Sequence, residues 1–376
     1  MEIINMQSLK SLRVGVIALF TTLSGVGIAA ITDNVVQPPK ETPPLAGMHD
    51  PRETHLGNVR QLTFGGQNAE AYWSFDSKKL IFQRYDGDQY KADQQFVMNA
   101  DGSNRVRVST GTGRTTCGYF LKGDQQVLFA STHGYGPEIP PDPDRSLGYV
   151  WPIFPTYAIW KCNVDGSKLT PLFPKKVEIG KEVGYNAEAT VSPDGERIIF
   201  TSTMDGDLEL YTMKPNGSQL KRITNRIGYD GGAFFSPDNK RIVWRAGLPT
   251  TPEAIADYQR LLKVNLVRPS QMELWVANVD GSDAKQITRN GAANFAPYFT
   301  NDGKKIIYAS NQGDPKRRTF ELYMVNADGT GQEQVTYGLQ FDSFAMFSPD
   351  GKSIAWGSNR NGKDHETNIF VADWKP

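Results

Sequence analysis

This chain of 376 residues is poor in the residues that most often announce chemistry. It has 2 cysteines and 4 histidines, and its 41 basic residues are matched by 41 acidic ones. A net charge of zero argues against a nucleic-acid binder working through bulk electrostatics. Two sulfurs cannot build a cysteine-based zinc site. No nucleophile elbow, phosphate loop or metal-binding helix motif accompanies the few histidines. What the chain does have is turn formers, with 36 Gly and 23 Pro, and a 39% hydrophobic share sufficient for a full core. That composition suits a turn-rich, all-β globular chain.

The stretch Asn186 to Thr224 reads as four short strands. The first ends at Ser192-Pro193-Asp194-Gly195, where Pro193 presets φ and Gly195 takes the last turn position. The strands Arg197 to Ser202 and Leu208 to Met213 follow, then the hairpin dipeptide Asn216-Gly217 and a short polar edge, Gln219 to Thr224. A lone sheet of this kind has two faces to bury, so it needs copies of itself. The first corner recurs as Ser74-Phe75-Asp76-Ser77, Lys122-Gly123-Asp124-Gln125, Ser236-Pro237-Asp238-Asn239, Thr300-Asn301-Asp302-Gly303 and Ser348-Pro349-Asp350-Gly351, making six units. The hairpin recurs as Asp101-Gly102, Asp165-Gly166, Asp280-Gly281 and Asp328-Gly329. A period of roughly 40 to 50 residues with four strands per unit predicts a β-propeller.

The last unit stops after three strands, the third being Asn368 to Asp373, while a spare strand, Val59 to Thr63, precedes the first complete unit. Pairing the two closes the ring and removes an open edge. The expected architecture is therefore a six-bladed propeller over residues 58–376, closed by its N-terminal strand. Residues 1–31 read as a signal peptide or an uncleaved anchor, since Lys10 and Arg13 precede the apolar run Val14 to Ile31. Residues 32–57 read as an extended linker. Export to a periplasm or the exterior is expected, with membrane attachment only if the run stays uncleaved. Cys117 and Cys162 fall on the first and third strands of the second unit. Such strands lie about 9 to 10 Å apart, beyond disulfide reach, which predicts two buried free thiols.

The recurring SPDGK-x-I-x-F, L-Y-x-M-x-x-D-G-S and R-x-I-T elements resemble the six-bladed propeller repeats of the TolB type, from about Val59 to Trp374. TolB itself carries an N-terminal α/β domain, and the corresponding region here reads only as a short linker. The resemblance is closer to stand-alone TolB-like propellers of bacterial envelopes. Some relatives are fused to zinc aminopeptidase-like modules; no such module is read here, so peptidase activity is not carried over.

Both long insertions, Thr132 to Pro155 and Ala246 to Pro269, follow second strands and should crowd one rim, the candidate functional face. The first is rich in Pro and aromatics, including Tyr149 and Trp151. The second includes Glu253 to Lys263, which reads as a short helix capped by Thr251 with Pro252 at its first position. Six positions back from each corner lie Asn68, Thr116, Asn186, Asp230, Asn294 and Asp342, a polar ring expected at the channel mouth. Two positions further on are Glu70 and Glu188, where other units carry Gly118, Gly232, Ala296 and Phe344. Arg84, Arg245 and Arg360 end second strands and can neutralise these acids; His133 and Asp205 come from the same level. Two functional classes follow. One is a binding or scaffold module holding an envelope protein, saccharide or peptide on the insertion-bearing rim. The other is a metal-assisted lyase or hydrolase acting on a saccharide or small carboxylate, with Glu70, Glu188 and Asp230 holding Ca²⁺ or Mg²⁺ and His133 assisting. The opposite rim carries only tight polar corners, too short to form a pocket. Mutual pairing of these acids and arginines is the bland alternative to both.

Overall fold

In the computed structural model, described for residues 48–338, 341–363 and 365–376, six four-stranded antiparallel sheets form the blades of a propeller. The predicted signal or anchor segment lies outside the described residues. Each corner between first and second strands is held by its own side chains. Ser192 Oγ donates to Asp194 Oδ1 at 2.5 Å and accepts from Arg197 N at 3.0 Å, while Gly195 takes φ +80°. The same arrangement recurs at Ser236–Asp238 and Ser348–Asp350.

The second blade corrects the sequence reading by one residue. Its corner runs Leu121 to Asp124: Asp124 N donates to Leu121 O at 3.0 Å, and Asp124 takes the positive φ that closes each corner. The corner contains neither Ser nor Pro, so its start was misplaced at Lys122. A slip of one residue moves every side chain of a strand to the other face. The residue equivalent to Asn68 is therefore Thr115 and not Thr116, and the equivalent of Glu70 is Cys117 and not Gly118.

Ring closure occurs as expected, three residues earlier than the sequence suggested. Leu56–Gln61 pairs antiparallel with Asn368–Trp374, with Gln61 opposite Phe370 and Leu56 opposite Trp374. Of the segment expected to be a linker, residues 32–47 lie outside the described residues, and the part from Met48 to His55 is docked on the propeller. Glu53 is fully buried and makes a double ion pair with Arg360, whose guanidinium also holds Asp342 at 2.9 Å.

At the centre of every blade an aromatic residue of the second strand faces one of the third: Phe82–Phe96, Phe129–Trp160, Phe200–Tyr211, Trp244–Trp275, Tyr308–Tyr323 and Trp356–Phe370. All six second-strand rings are fully buried. Such cross-strand pairs contribute about 0.2–1 kcal/mol each, so the blade core repeats as the sequence does.

The two insertions meet. Trp151–Pro152 of the first pairs with Leu266–Val267 of the second, and the helix Pro252–Leu262, capped by Thr251, packs Tyr258 and Leu261 inward. Tyr258 donates to Gly228 O at 2.8 Å and also contacts Asp207. This joint lid lies over the rim where first strands begin.

Candidate functional site

A β-bulge at the same place in all six first strands builds the site. Pairing with the second strand shifts between Ala69 and Tyr72, Thr116 and Tyr119, Ala187 and Thr190, Gly231 and Phe234, Phe295 and Tyr298, and Ser343 and Met346. The bulged residues are Glu70, Cys117, Glu188, Gly232, Ala296 and Phe344, and each has φ between +48° and +61°. Left-handed backbone costs a residue with a Cβ about 1 kcal/mol, and bulges of this kind re-aim side chains. All six bulged residues line one cavity of about 450 Å³ beneath the lid.

The cavity is blind. Two residues past each bulge, Tyr72, Tyr119, Phe234 and Tyr298 meet at the axis with ring centroids 5.2 to 5.7 Å apart between successive pairs. This aromatic floor separates it from a second cavity of about 310 Å³ at the opposite mouth, lined by Trp73, Phe75, Pro193, Pro237, Phe299 and Pro349 together with the polar Lys122 and Asn301. The corners are tight and polar in their turns, as expected, but their second residues point to the axis and enclose a pocket that the sequence reading excluded.

Within the first cavity Glu188 is the most heavily hydrogen-bonded acid. Its Oε2 accepts from Thr201 Oγ1 at 2.8 Å and Gly232 N at 2.7 Å; its Oε1 accepts from Arg245 Nη2 at 2.5 Å, Tyr185 Oη at 3.3 Å and Tyr229 Oη. Burial raises its pKa, but the Arg245 charge and these donors outweigh burial and hold it below the ordinary value. Two glycines make room for this knot. A Cβ on Gly231 would stand 2.4 Å from Glu188 Oε2, and one on Gly232 would stand 1.8 Å from Arg245 Nη1. Arg245 also lies over the rings of Tyr229 and Trp151, at 5.0 and 5.7 Å.

Glu70 is the opposite case. Its Oε2 is buried without a hydrogen-bond partner, and no basic side chain forms an ion pair with it among the described residues. Burial lifts its carboxyl to about 7, and the nearby charges of Glu188 and Asp93 add to this, while the Cys117 thiol and Arg245 oppose it. Two acids in one cavity thus differ in protonation near neutral pH, one ionised and one half-protonated. The Cys117 thiol stays protonated, pushed up by burial and by Glu70. It is half-buried against the cavity, whereas Cys162 is fully buried; both are free, as expected.

The lid supplies an aromatic wall. Trp151 packs on Phe295 at 5.0 Å, and its Nε1 donates to Tyr149 Oη at 2.9 Å; Tyr149 itself is 65% exposed outside.

Of the expected polar ring only Thr116, with its corrected counterpart Thr115, lines the cavity; the other five members lie elsewhere. Asn68, Thr115, Asn186, Asp230, Asn294 and Asp342 are buried and bind each blade to the preceding one, their backbone N–H groups donating to Thr367 O, Asp93 O, Tyr157 O, Leu208 O, Met272 O and Phe320 O. Except at Thr115, the bulge separates them from the channel-facing positions. Asp230 is taken by Arg226 at 2.9 Å and Trp244 Nε1 at 2.6 Å. The three-carboxylate set for Ca²⁺ or Mg²⁺ is therefore not assembled: Asp230 faces a blade interface, and Glu188 is saturated by protein donors. Among the described residues no group of three or more His, Cys, Asp or Glu side chains is placed to hold a metal.

Of the other residues singled out, Arg84 binds Gly65 O and Asn68, and Arg360 holds the N-terminal segment. Asp205 accepts from Tyr211 and Arg222 near the blade surface. His133 is wedged between Ser131 and the Trp160 ring, and burial lowers it to about 4. None of these four lines the cavity. Glu70, Glu188, Arg245, Tyr149 and Trp151 do. Sequence reasoning missed Cys117, Tyr185 and Tyr229 in that lining; the adjacent Gly231-Gly232, unusual inside a strand, was the available signal.

No family model matches the chain, and no curated protein matches it. Solved structures share its fold. A gluconolactonase from Xanthomonas campestris superposes with TM-score 0.54 at 14% identity, covering 87% of this chain and 93% of that one. The Agrobacterium tumefaciens protein assigned as TolB gives 0.53 at 16%, covering 83% and 91%. TolB from Acinetobacter baumannii gives 0.50 at 16%, covering 82% of this chain and 64% of that one. At such identities the likeness is one of fold: a six-bladed propeller of the kind seen in the TolB structures.

Proposed function

We propose that the protein is a binding module that takes a small organic ligand with a flat ring into the blind cavity under the joint lid. The observation that carries this is the combination of an aromatic floor, an aromatic lid wall at Trp151 and a mostly apolar lining on which the charged groups Glu70, Asp93, Glu188, Arg114 and Arg245 converge. Concave, mostly apolar sites with a small number of convergent polar groups are the usual form of ligand pockets. A propeller fold hosts binders and enzymes alike, so it does not decide the matter. The metal-assisted lyase or hydrolase is not carried forward, since two of its three oxygen ligands are engaged elsewhere. An exported location is part of the proposal. It rests on Lys10 and Arg13 ahead of the apolar run Val14 to Ile31.

Saturation-transfer NMR with naphthylmethanol tests the reading. Transfer is expected with the intact protein and with Glu196→Ala on the opposite rim, and its loss with Trp151→Ala. Equal transfer to the Trp151→Ala protein, or none to any of the three, overturns it.

A further inference from the structure

The cavity has an uncompensated charge. Its lining holds the acids Glu70, Asp93 and Glu188 and the bases Arg114 and Arg245. Arg245 pairs with Glu188 at 2.5 Å, while Arg114 pairs with Asp142 at 3.2 Å and reaches Asp93 only through its field. Glu70 forms no ion pair among the described residues; it lines a space walled by Trp151, Tyr157, Phe295 and Phe344, and its Oε2, buried behind that surface, has no hydrogen-bond partner. A buried carboxylate needs a cation or a proton, and aromatic faces add their own attraction for cations, about 0.5 to 2 kcal/mol each. Both halves of the cavity therefore favour the same ligand charge. From these placements we infer that the site is built for an organic ammonium, an aromatic or alicyclic amine whose ring lies against Trp151 and Phe344 and whose cation pairs with Glu70. This rests on the ligand-binding reading above and adds the chemical class.

Uptake is coupled to a proton. The empty cavity keeps Glu70 partly as the neutral acid, so an arriving ammonium takes the proton's place and the carboxylic acid releases H⁺ to solvent. The titratable and charged groups that face Glu70 are Cys117, Glu188, Asp93 and Arg245, with Tyr72 below it. Glu70 changes charge near neutral pH, with its value at about 7, and burial also raises Asp93. A primary amine remains cationic over the same range, so the dependence comes from the cavity's acids, and the Glu70→Gln variant isolates the share of Glu70.

Isothermal titration of the full chain with naphthylmethylamine, naphthylmethanol and naphthoate decides the matter. The amine is expected to bind at least about tenfold more tightly than the alcohol at pH 8, and to gain about tenfold between pH 6 and pH 8. Glu70→Gln should erase both differences while retaining the alcohol. Should that variant fold poorly, repeating the wild-type titration at pH 6 in buffers of different ionisation enthalpy gives a second reading, with close to one proton released per amine expected. If the alcohol binds as tightly as the amine, if naphthoate binds best through Arg245, or if no proton is released, the ammonium assignment is overturned while the cavity reading stands. Binding of none of the three overturns both.

Discussion

Replacing Glu70 by Gln should change how stability depends on pH more than it changes stability itself. In the folded chain the Glu70 carboxyl is lifted from the ordinary 4.5 to about 7 by burial. The unfolded chain releases this proton near 4.5 and the native chain holds it to about 7, so between these values the native state binds more protons. Stability contributed by the group is thus fully present below the unfolded value and is lost as pH rises through 7. The displacement corresponds to up to about 3 kcal/mol at pH well above 7, reduced by whatever solvent the cavity admits. Gln has nearly the same shape and no proton to lose, so the variant should be more stable than wild type at pH 8.5 and about equal to it at pH 5. Urea denaturation at a series of pH values measures the difference directly. Parallel stability profiles for the two proteins would refute the claim that Glu70 is held protonated by its surroundings.

Arg245→Met leaves the Glu188 carboxylate buried without a counter-charge and should cost about 3–5 kcal/mol in denaturant melts. Gly232→Ala forces a Cβ to within 1.8 Å of Arg245 Nη1, so it should destabilise wild type more than it destabilises Arg245→Met, a coupling that a double-mutant cycle reads out. Removing residues through Thr63 strips the closing strand and the Glu53–Arg360 pair and should cost at least about 4 kcal/mol, whereas removal through Lys40 should leave the melting temperature unchanged. Glu53→Ala alone should cost about 2 kcal/mol, because Arg360 keeps Asp342 as a partner. Dithiothreitol should not alter the melt, since Cys117 and Cys162 are both free.

Local chemistry carries the propeller repeat, and for that reason the repeat is legible in the chain. A corner such as Ser192-Pro193-Asp194-Gly195 specifies its own turn through hydrogen bonds between residues two to five apart, and six corners with short hairpins between them leave few other ways to bury two-faced sheets. Closure was legible too, because a strand missing at one end appeared at the other. The helix Pro252–Leu262 follows from its Thr-Pro start, and a shared rim for the two insertions follows from strand direction. The blade 2 corner escaped because Leu121-Lys122-Gly123-Asp124 lacks the Ser-Pro signal.

Side-chain direction at the bulges was decided by the tertiary structure. An alternating strand would put Asp230 and Gly232 on one face, but the extra residue at each bulge turns the first toward the neighbouring blade and the second toward the channel. Nothing local in the chain marks a bulge at Glu70, Cys117, Ala296 or Phe344, none of which favours positive φ. The packing of six blades around one axis holds them there. In the same way, Glu70 and Glu188 are equivalent in sequence yet hold their protons differently, Glu70 raised and Glu188 lowered. The difference arises because Arg245 reaches Glu188 across a blade boundary through the space left by Gly232, while no arginine among the described residues pairs with Glu70. That contact joins residues 57 positions apart. The sequence determined the repeat and its closure; the relative placement of blades determined which acid is neutralised and which faces the cavity unpaired.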